Sequence, residues 1–185
     1  AMQGDVGRAA TDRECAHMRR RLAESLDEGA SGFSTGLYYG PSADAPTEEV
    51  IAVAEALRAK RGLYVTHMRD EGADVLQSIE ETLRIGRDAG APVVISHHKC
   101  AQPQNYGRSA ETLPAMDRGA AGQTVHFDVY PYAASSTVLM PARVRPDVPA
   151  RITWSVPHPE MSGRYLTDIA DQWGVDLLVA ADRLL

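Results

Sequence analysis

The chain has 185 residues, a formal net charge of −6, and 44% apolar and 24% charged residues. That balance suits a soluble globular fold with a substantial core. It argues against nucleic acid as a partner, since nucleic acid selects basic faces. No apolar run has the length of a membrane span, and no leader-like start is visible.

In chain order, Thr11 to Glu14 has the form of a capping box, in which a Thr hydroxyl and a Glu carboxylate satisfy the free N–H groups of a helix start. Cys15, Met18, Leu22 and Leu26 then recur at helical spacing, and Gly29 can stop the helix. Residues 32–37 read as a short strand and 38–45 as a loop. Thr47 is expected to cap a helix with Val50, Ala54 and Leu57 on one face, ended by Gly62. Residues 63–66 are β-prone and end at His67. Asp74 is expected to cap the next helix, with Leu76, Ile79 and Leu83 on one face and an end near Gly90. Residues 92–96 form a nearly continuous apolar run that ends at His97, as in a strand buried on both faces. A helix capped by Ser109 follows, with Leu113 and Met116 directed inward, and residues 124–130 form a further strand.

Strands alternating with amphipathic helices imply parallel βα units. An open doubly wound sheet and a closed (β/α)8 barrel both satisfy this pattern. Four units amount to about half of the ~250 residues of a typical barrel. After Tyr132 the character changes, with Pro141, Pro146, Pro149, Pro157 and Pro159 punctuating an irregular stretch. Helical patterning returns at Tyr165, Leu166, Ile169 and Trp173, is stopped by Gly174, and resumes from Asp176. The expected division is therefore 1–140 for the βα units and 141–185 for an irregular and helical excursion. Ala1-Met2 reads as a cloning scar and Leu184-Leu185 as an exposed apolar end, so the expectation is a chain truncated at both ends.

His67 and His97 each end a predicted strand, one βα unit apart. Neighbouring parallel strands end side by side, so both imidazoles can enter one space at the end of the sheet where ligands bind. Neutral imidazole is a zinc ligand. Two histidines that merely bond loop backbone would show the same spacing, and a catalytic zinc needs three protein ligands. His98 is expected to point the other way by strand alternation. His17, His126 and His158 have no partner at a telling spacing and read as structural. Asp70 and Glu71 are accounted for by the positive N-terminal end of the following helix. Arg69 beside His67 is a weaker candidate for a substrate carboxylate. Cys15 and Cys100 are isolated, as expected of reduced thiols in a cytoplasmic protein, and Cys100 has no paired base that would make it a nucleophile.

Four segments together resemble one family in the same order. They are Gly32-Phe33-Ser34-Thr35-Gly36-Leu37, Thr66-His67-Met68-Arg69-Asp70-Glu71-Gly72, Ser96-His97-His98-Lys99 and Asp128-Val129-Tyr130-Pro131-Tyr132. They are similar to the D-aminoacylases, the N-acyl-D-amino-acid deacylases of the amidohydrolase superfamily. The resemblance implies a partial TIM-type barrel covering about strands four to seven. It implies a zinc-dependent hydrolase that cleaves small-molecule N-acyl-D-amino acids to a carboxylate and a D-amino acid. It makes His67 and His97 metal ligands. Lys99, Tyr130 and Ser136 fall at substrate positions, where Tyr130 could also hold a developing oxyanion. The family's first-strand His-x-His, its Cys-bearing ligand segment and its general-base aspartate have no counterpart in these residues. The segment alone is therefore expected to be inactive and to hold zinc weakly or not at all. Exposed barrel edges favour a homo-oligomer. The rival readings are a dihydroorotase- or hydantoinase-like amidohydrolase and a non-catalytic half-barrel that only associates.

Overall fold

The computed structural model describes residues 6–40 and 42–185, so the Ala1-Met2 pair lies outside the described residues. By the density of contacts the chain divides into two compact units, Ala1–Tyr130 and Pro131–Leu185.

The first unit is built around a four-stranded sheet in the order β1-β2-β3-β4, with β1 at Gly32–Gly36, β2 at Leu63–His67, β3 at Val93–Ile95 and β4 at Val125–Phe127. Every pairing is parallel. The connections carry helices: α1 (Asp12–Asp27) precedes β1, α2 (Thr47–Ala54) and α3 (Ala56–Lys60) precede β2, α4 (Val75–Ala89) precedes β3, and α5 (Ser109–Gly119) precedes β4. This is the expected α/β class.

The sequence dictates these elements locally. The capping box forms in full: Glu14 N donates to Thr11 Oγ1, and the Glu14 carboxylate accepts from Thr11 N at 2.8 Å. Arg8, together with Thr11, holds the Glu14 carboxyl down at about 2. The helix expected over 47–61 bends at Glu55 into α2 and α3. Thr47 is not its cap: Pro46 is, and the Thr47 hydroxyl donates to Glu81 at 2.8 Å. Gly90 closes α4 with a left-handed φ of 65°, which costs glycine no Cβ clash. On α5, Met116 is buried but Leu113 is 41% exposed, contrary to the inward direction expected for both.

The helix-facing side of the sheet forms the core. Tyr64, Val93 and Ile95 are fully buried there and Thr66 nearly so, packed with Leu57, Val75, Ile79 and Leu83. The opposite side, with Val65, His67 and Val94, is only half-buried. The apolar run at 93–95 therefore lies in a strand covered by helices on one face, not on both. In a closed barrel the second face is the interior.

The second unit has its own core of Ile152, Met161, Leu166, Ile169 and Leu184, with α6 at Leu166–Trp173 and α7 at Leu177–Arg183. Gly174 caps α6 in a left-handed conformation and Asp176 caps α7 through Val179 N. Leu184 is buried at 3% exposure, and its carbonyl accepts from Ser155 Oγ at 2.6 Å; only Leu185 of the terminal pair is exposed.

Candidate metal centre

β2 and β3 are neighbours in register, with Thr66 opposite Ile95. His67 is the last residue of β2, and His97 lies two residues beyond β3. Their rings meet at 4.6 Å between centroids, with His67 Nδ1 3.1 Å from His97 Nε2. Both reach the same space at the C-terminal end of the strands.

The third donor is Glu71, which is 8% exposed. Its Oε1 lies 3.0 Å from His97 Nδ1, and its Oε2 lies 3.8 Å from His67 Nε2. His67, Glu71 and His97 each offer one ligand atom, and these atoms lie within 4.8 Å of one another. Ligand atoms around a tetrahedral zinc at about 2.1 Å stand about 3.4 Å apart. Two imidazoles and one carboxylate are a donor set that zinc accepts. The residues present therefore fit a divalent metal.

The cluster already converges on a positive charge. Lys99 Nζ donates to Glu71 Oε1 and Oε2 at 2.7 and 2.8 Å and faces His97 Nδ1 at 2.9 Å. The same Nδ1 faces the Glu71 carboxylate at 3.0 Å, so it stands between an ammonium and a carboxylate. The Lys99 ammonium also sits 5.5 Å over the Tyr130 ring. Tyr38 and Tyr39, in the loop after β1, bring their rings to 5.2 and 4.9 Å from that of His67.

The loop from Met68 to Asp74 is what delivers Glu71. Met68 is fully buried and anchors its start. Arg69 clamps the loop: it bridges Glu81 with three contacts of 2.8 to 3.3 Å and donates to Ala43 O and Ala45 O at 2.7 and 2.8 Å. The Glu81 partnership raises the Arg69 pKa further. Asp70 Oδ1 accepts from Gly72 N and Asp74 N, doing the work at the start of α4 that was expected of Asp74, whose side chain makes no cap bond. Asp70 thus has the helix-start role expected of it, but Glu71 does not. Glu71 was missed because a carboxylate one residue further along carries the same helix-start signal. Tyr38 and Tyr39 were missed because a loop has no periodicity to read.

His98 is buried on the helix side, with Nε2 2.9 Å from Thr112 Oγ1 and its ring edge-on to Phe127. Burial lowers its pKa and keeps it neutral. Burial likewise raises the Cys100 thiol. His17 is 3.0 Å from Arg20, His158 pairs with Glu160, and His126 is exposed on β4. Ser136 is exposed and belongs to the second unit.

Parallel βα units with imidazole and carboxylate donors gathered where the strands end define the class: a candidate metal-site segment of an α/β fold, consistent with part of a (β/α)8 barrel. No family model matches the sequence. A curated relative, D-aminoacylase of Alcaligenes xylosoxydans xylosoxydans, is 49% identical over 174 residues, which is 94% of this chain and 36% of that protein. A crystal structure of D-aminoacylase, described as defining a novel subset of amidohydrolases, matches all of the chain with a TM-score of 0.95 and 45% identity, over 39% of its own length. N-acyl-D-glutamate deacylase from Bordetella bronchiseptica, solved with zinc and a phosphonate mimic of the tetrahedral intermediate, matches 98% of the chain with a TM-score of 0.93 and 46% identity, again over 39% of its length. The chain is homologous to the N-acyl-D-amino-acid deacylases, the D-aminoacylase family, and spans somewhat over a third of the relatives it matches.

Proposed function

We propose that this chain is the part of a zinc-dependent N-acyl-D-amino-acid deacylase that supplies metal ligands and substrate-facing groups from about strands four to seven of the barrel. The observation that carries the reading is the meeting of His67, Glu71 and His97 at the C-terminal end of two adjacent parallel strands. His67 and His97 hold the metal, and Glu71 is the carboxylate donor beside them. A zinc ion bound there supplies Lewis-acid polarisation of an amide carbonyl and makes a water acidic near neutral pH. Lys99, half-buried against Glu71, is placed to meet the α-carboxylate of an acylated amino acid. Tyr130, under Lys99, offers a hydroxyl to the carbonyl oxygen as charge develops on it. Ser136 is assigned to the substrate. The general-base aspartate that the resemblance implies is not among these residues. Both cysteines are free, which supports a reducing compartment such as the cytoplasm.

The test uses the complete protein that carries this segment. Zinc-loaded, it is expected to hydrolyse N-acetyl-D-methionine or N-acetyl-D-glutamate and to leave the L-enantiomers uncut. The 185-residue chain alone is expected to turn over neither. Preference for a cyclic amide over both linear substrates would move the assignment to a dihydroorotase-like enzyme.

Among the described residues β1 and β4 have one strand partner each, and Phe127 and Val129 at the β4 side are 43% and 64% exposed. Open strand edges recruit other chains, and exposed apolar area costs about 25 cal/mol per Å2. The isolated chain is expected to self-associate. Sedimentation at micromolar concentration checks this, and a single monomeric species would contradict it.

A further inference from the structure

His97 stands on the wrong side of its strand for the role it plays, and the ladder shows how it gets to the right one. Opposite residues of parallel strands share a face, so the pairs Tyr64↔Val93 and Thr66↔Ile95 lie on the buried, helix-facing side. His67, one residue on from Thr66, lies on the other. Simple alternation from Val93 and Ile95 would put His97 on the helix side, away from His67. Yet the two rings are 4.6 Å apart.

The hydrogen bonds between β3 and β4 break step at this point. Val93 N donates to Thr124 O and Asp128 N donates to Ile95 O, at 2.9 and 3.1 Å. The next rung of a regular parallel ladder would run from His97 N to Asp128 O. Instead His98 N takes that carbonyl at 2.8 Å. One extra residue has entered the β3 end, as in a β-bulge, which re-aims side chains beside functional sites. His97 absorbs the kink with a left-handed φ of 42°, uncommon for a residue with a Cβ. Its displaced N–H is taken up by Asp128 Oδ1 at 2.6 Å. The bulge turns His97 to the His67 side and sends His98 to the buried side, against Thr112 and Phe127.

We infer that Asp128 is a positioning residue for the metal site: its carboxylate replaces the lost ladder rung and so holds His97 in the left-handed turn that aims the imidazole at His67 and Glu71. The inference rests on the reading of these three residues as metal donors. Asp128 itself acts only through the His97 backbone.

The test is made on the complete protein that carries this segment, with Co2+ as the probe ion and with amide hydrogen exchange of the metal-free protein. In the wild type the His97 amide is protected. Asp128→Ala is expected to lose that protection and to weaken Co2+ binding on the order of 10- to 100-fold, with little change in melting temperature. Asp128→Asn keeps an acceptor oxygen and is expected to restore most of both. A purely structural role would move the melting temperature and leave the affinity of the folded protein unchanged. Wild-type affinity with wild-type protection in Asp128→Ala overturns the inference. So does an unprotected His97 amide in the wild type, a measurement that stands even where Asp128→Ala does not fold. A complete wild-type protein that binds no Co2+ but shows the protected amide refutes the metal reading and leaves the role of Asp128 in aiming His97 supported.

Discussion

Replacing His97 by alanine in the complete protein that carries this segment is expected to lower kcat/KM for N-acetyl-D-amino acids by a factor on the order of 10^3 or more. The imidazole stands against both other donors, 3.1 Å from His67 and 3.0 Å from Glu71. Its removal leaves one imidazole and a carboxylate that Lys99 already grips through both oxygens. Lewis-acid stabilisation by a bound metal amounts to several kcal/mol, and each tenfold in rate is about 1.4 kcal/mol. The loss should appear in kcat and in zinc content together, since the ion and not the substrate loses its anchor. His67→Ala is expected to behave alike. His17→Ala, on α1 beside Arg20, serves as the control and should leave activity intact. Wild-type turnover in either site variant would remove that histidine from the chemistry.

Gly32→Ala is expected to destabilise the first unit by about 3 kcal/mol or more, toward the upper end of what overpacking costs. Gly32 pairs with Leu63 at the start of the β1–β2 ladder. A Cβ there would stand 2.2 Å from Leu63 O and 2.9 Å from Leu63 N. Both are backbone atoms of a paired strand, which no rotamer change can move. Relief requires the strands to part, and among the described residues β1 is an edge strand paired with β2. At roughly 3 °C per kcal/mol for a protein of this size, the melting temperature should fall by about 10 °C. Gly40→Ala, where a Cβ would meet nothing within 4 Å, should change stability by no more than about 0.5 kcal/mol. Equal melting temperatures for the two variants would show that the β1–β2 contact is looser than described.

What was legible in the sequence was what local chemistry writes there. The Thr11–Glu14 box forms because both its bonds lie within one turn. The strand end at His67 was visible because an apolar run stops at a polar ring, whereas β3 stops at Ile95, two residues short of the expected end at His97. Thr47 was misread because a hydroxyl before a helical stretch looks alike whether it caps that stretch or reaches Glu81 on a neighbouring helix. Leu113 was misread because helical spacing does not say how wide the covered face is. The metal cluster was only two-thirds legible: the role of Glu71 depends on a loop path set by Arg69 and Met68, and loop paths leave no period in the sequence. The bulge at His97 was not legible at all. It is a mismatch between two strands, and a single strand carries no sign of it.

The donors also sit close together along the chain. His67 and His97 are 30 residues apart, and Glu71 lies between them. One βαβ unit therefore contains the whole cluster, and closing a loop of that length costs little more than closing one half as long. A ribosome releases residues in order, and a unit with short-range contacts can fold as soon as it emerges. His67, Glu71 and His97 can therefore be gathered while the remainder of the polypeptide is still being made.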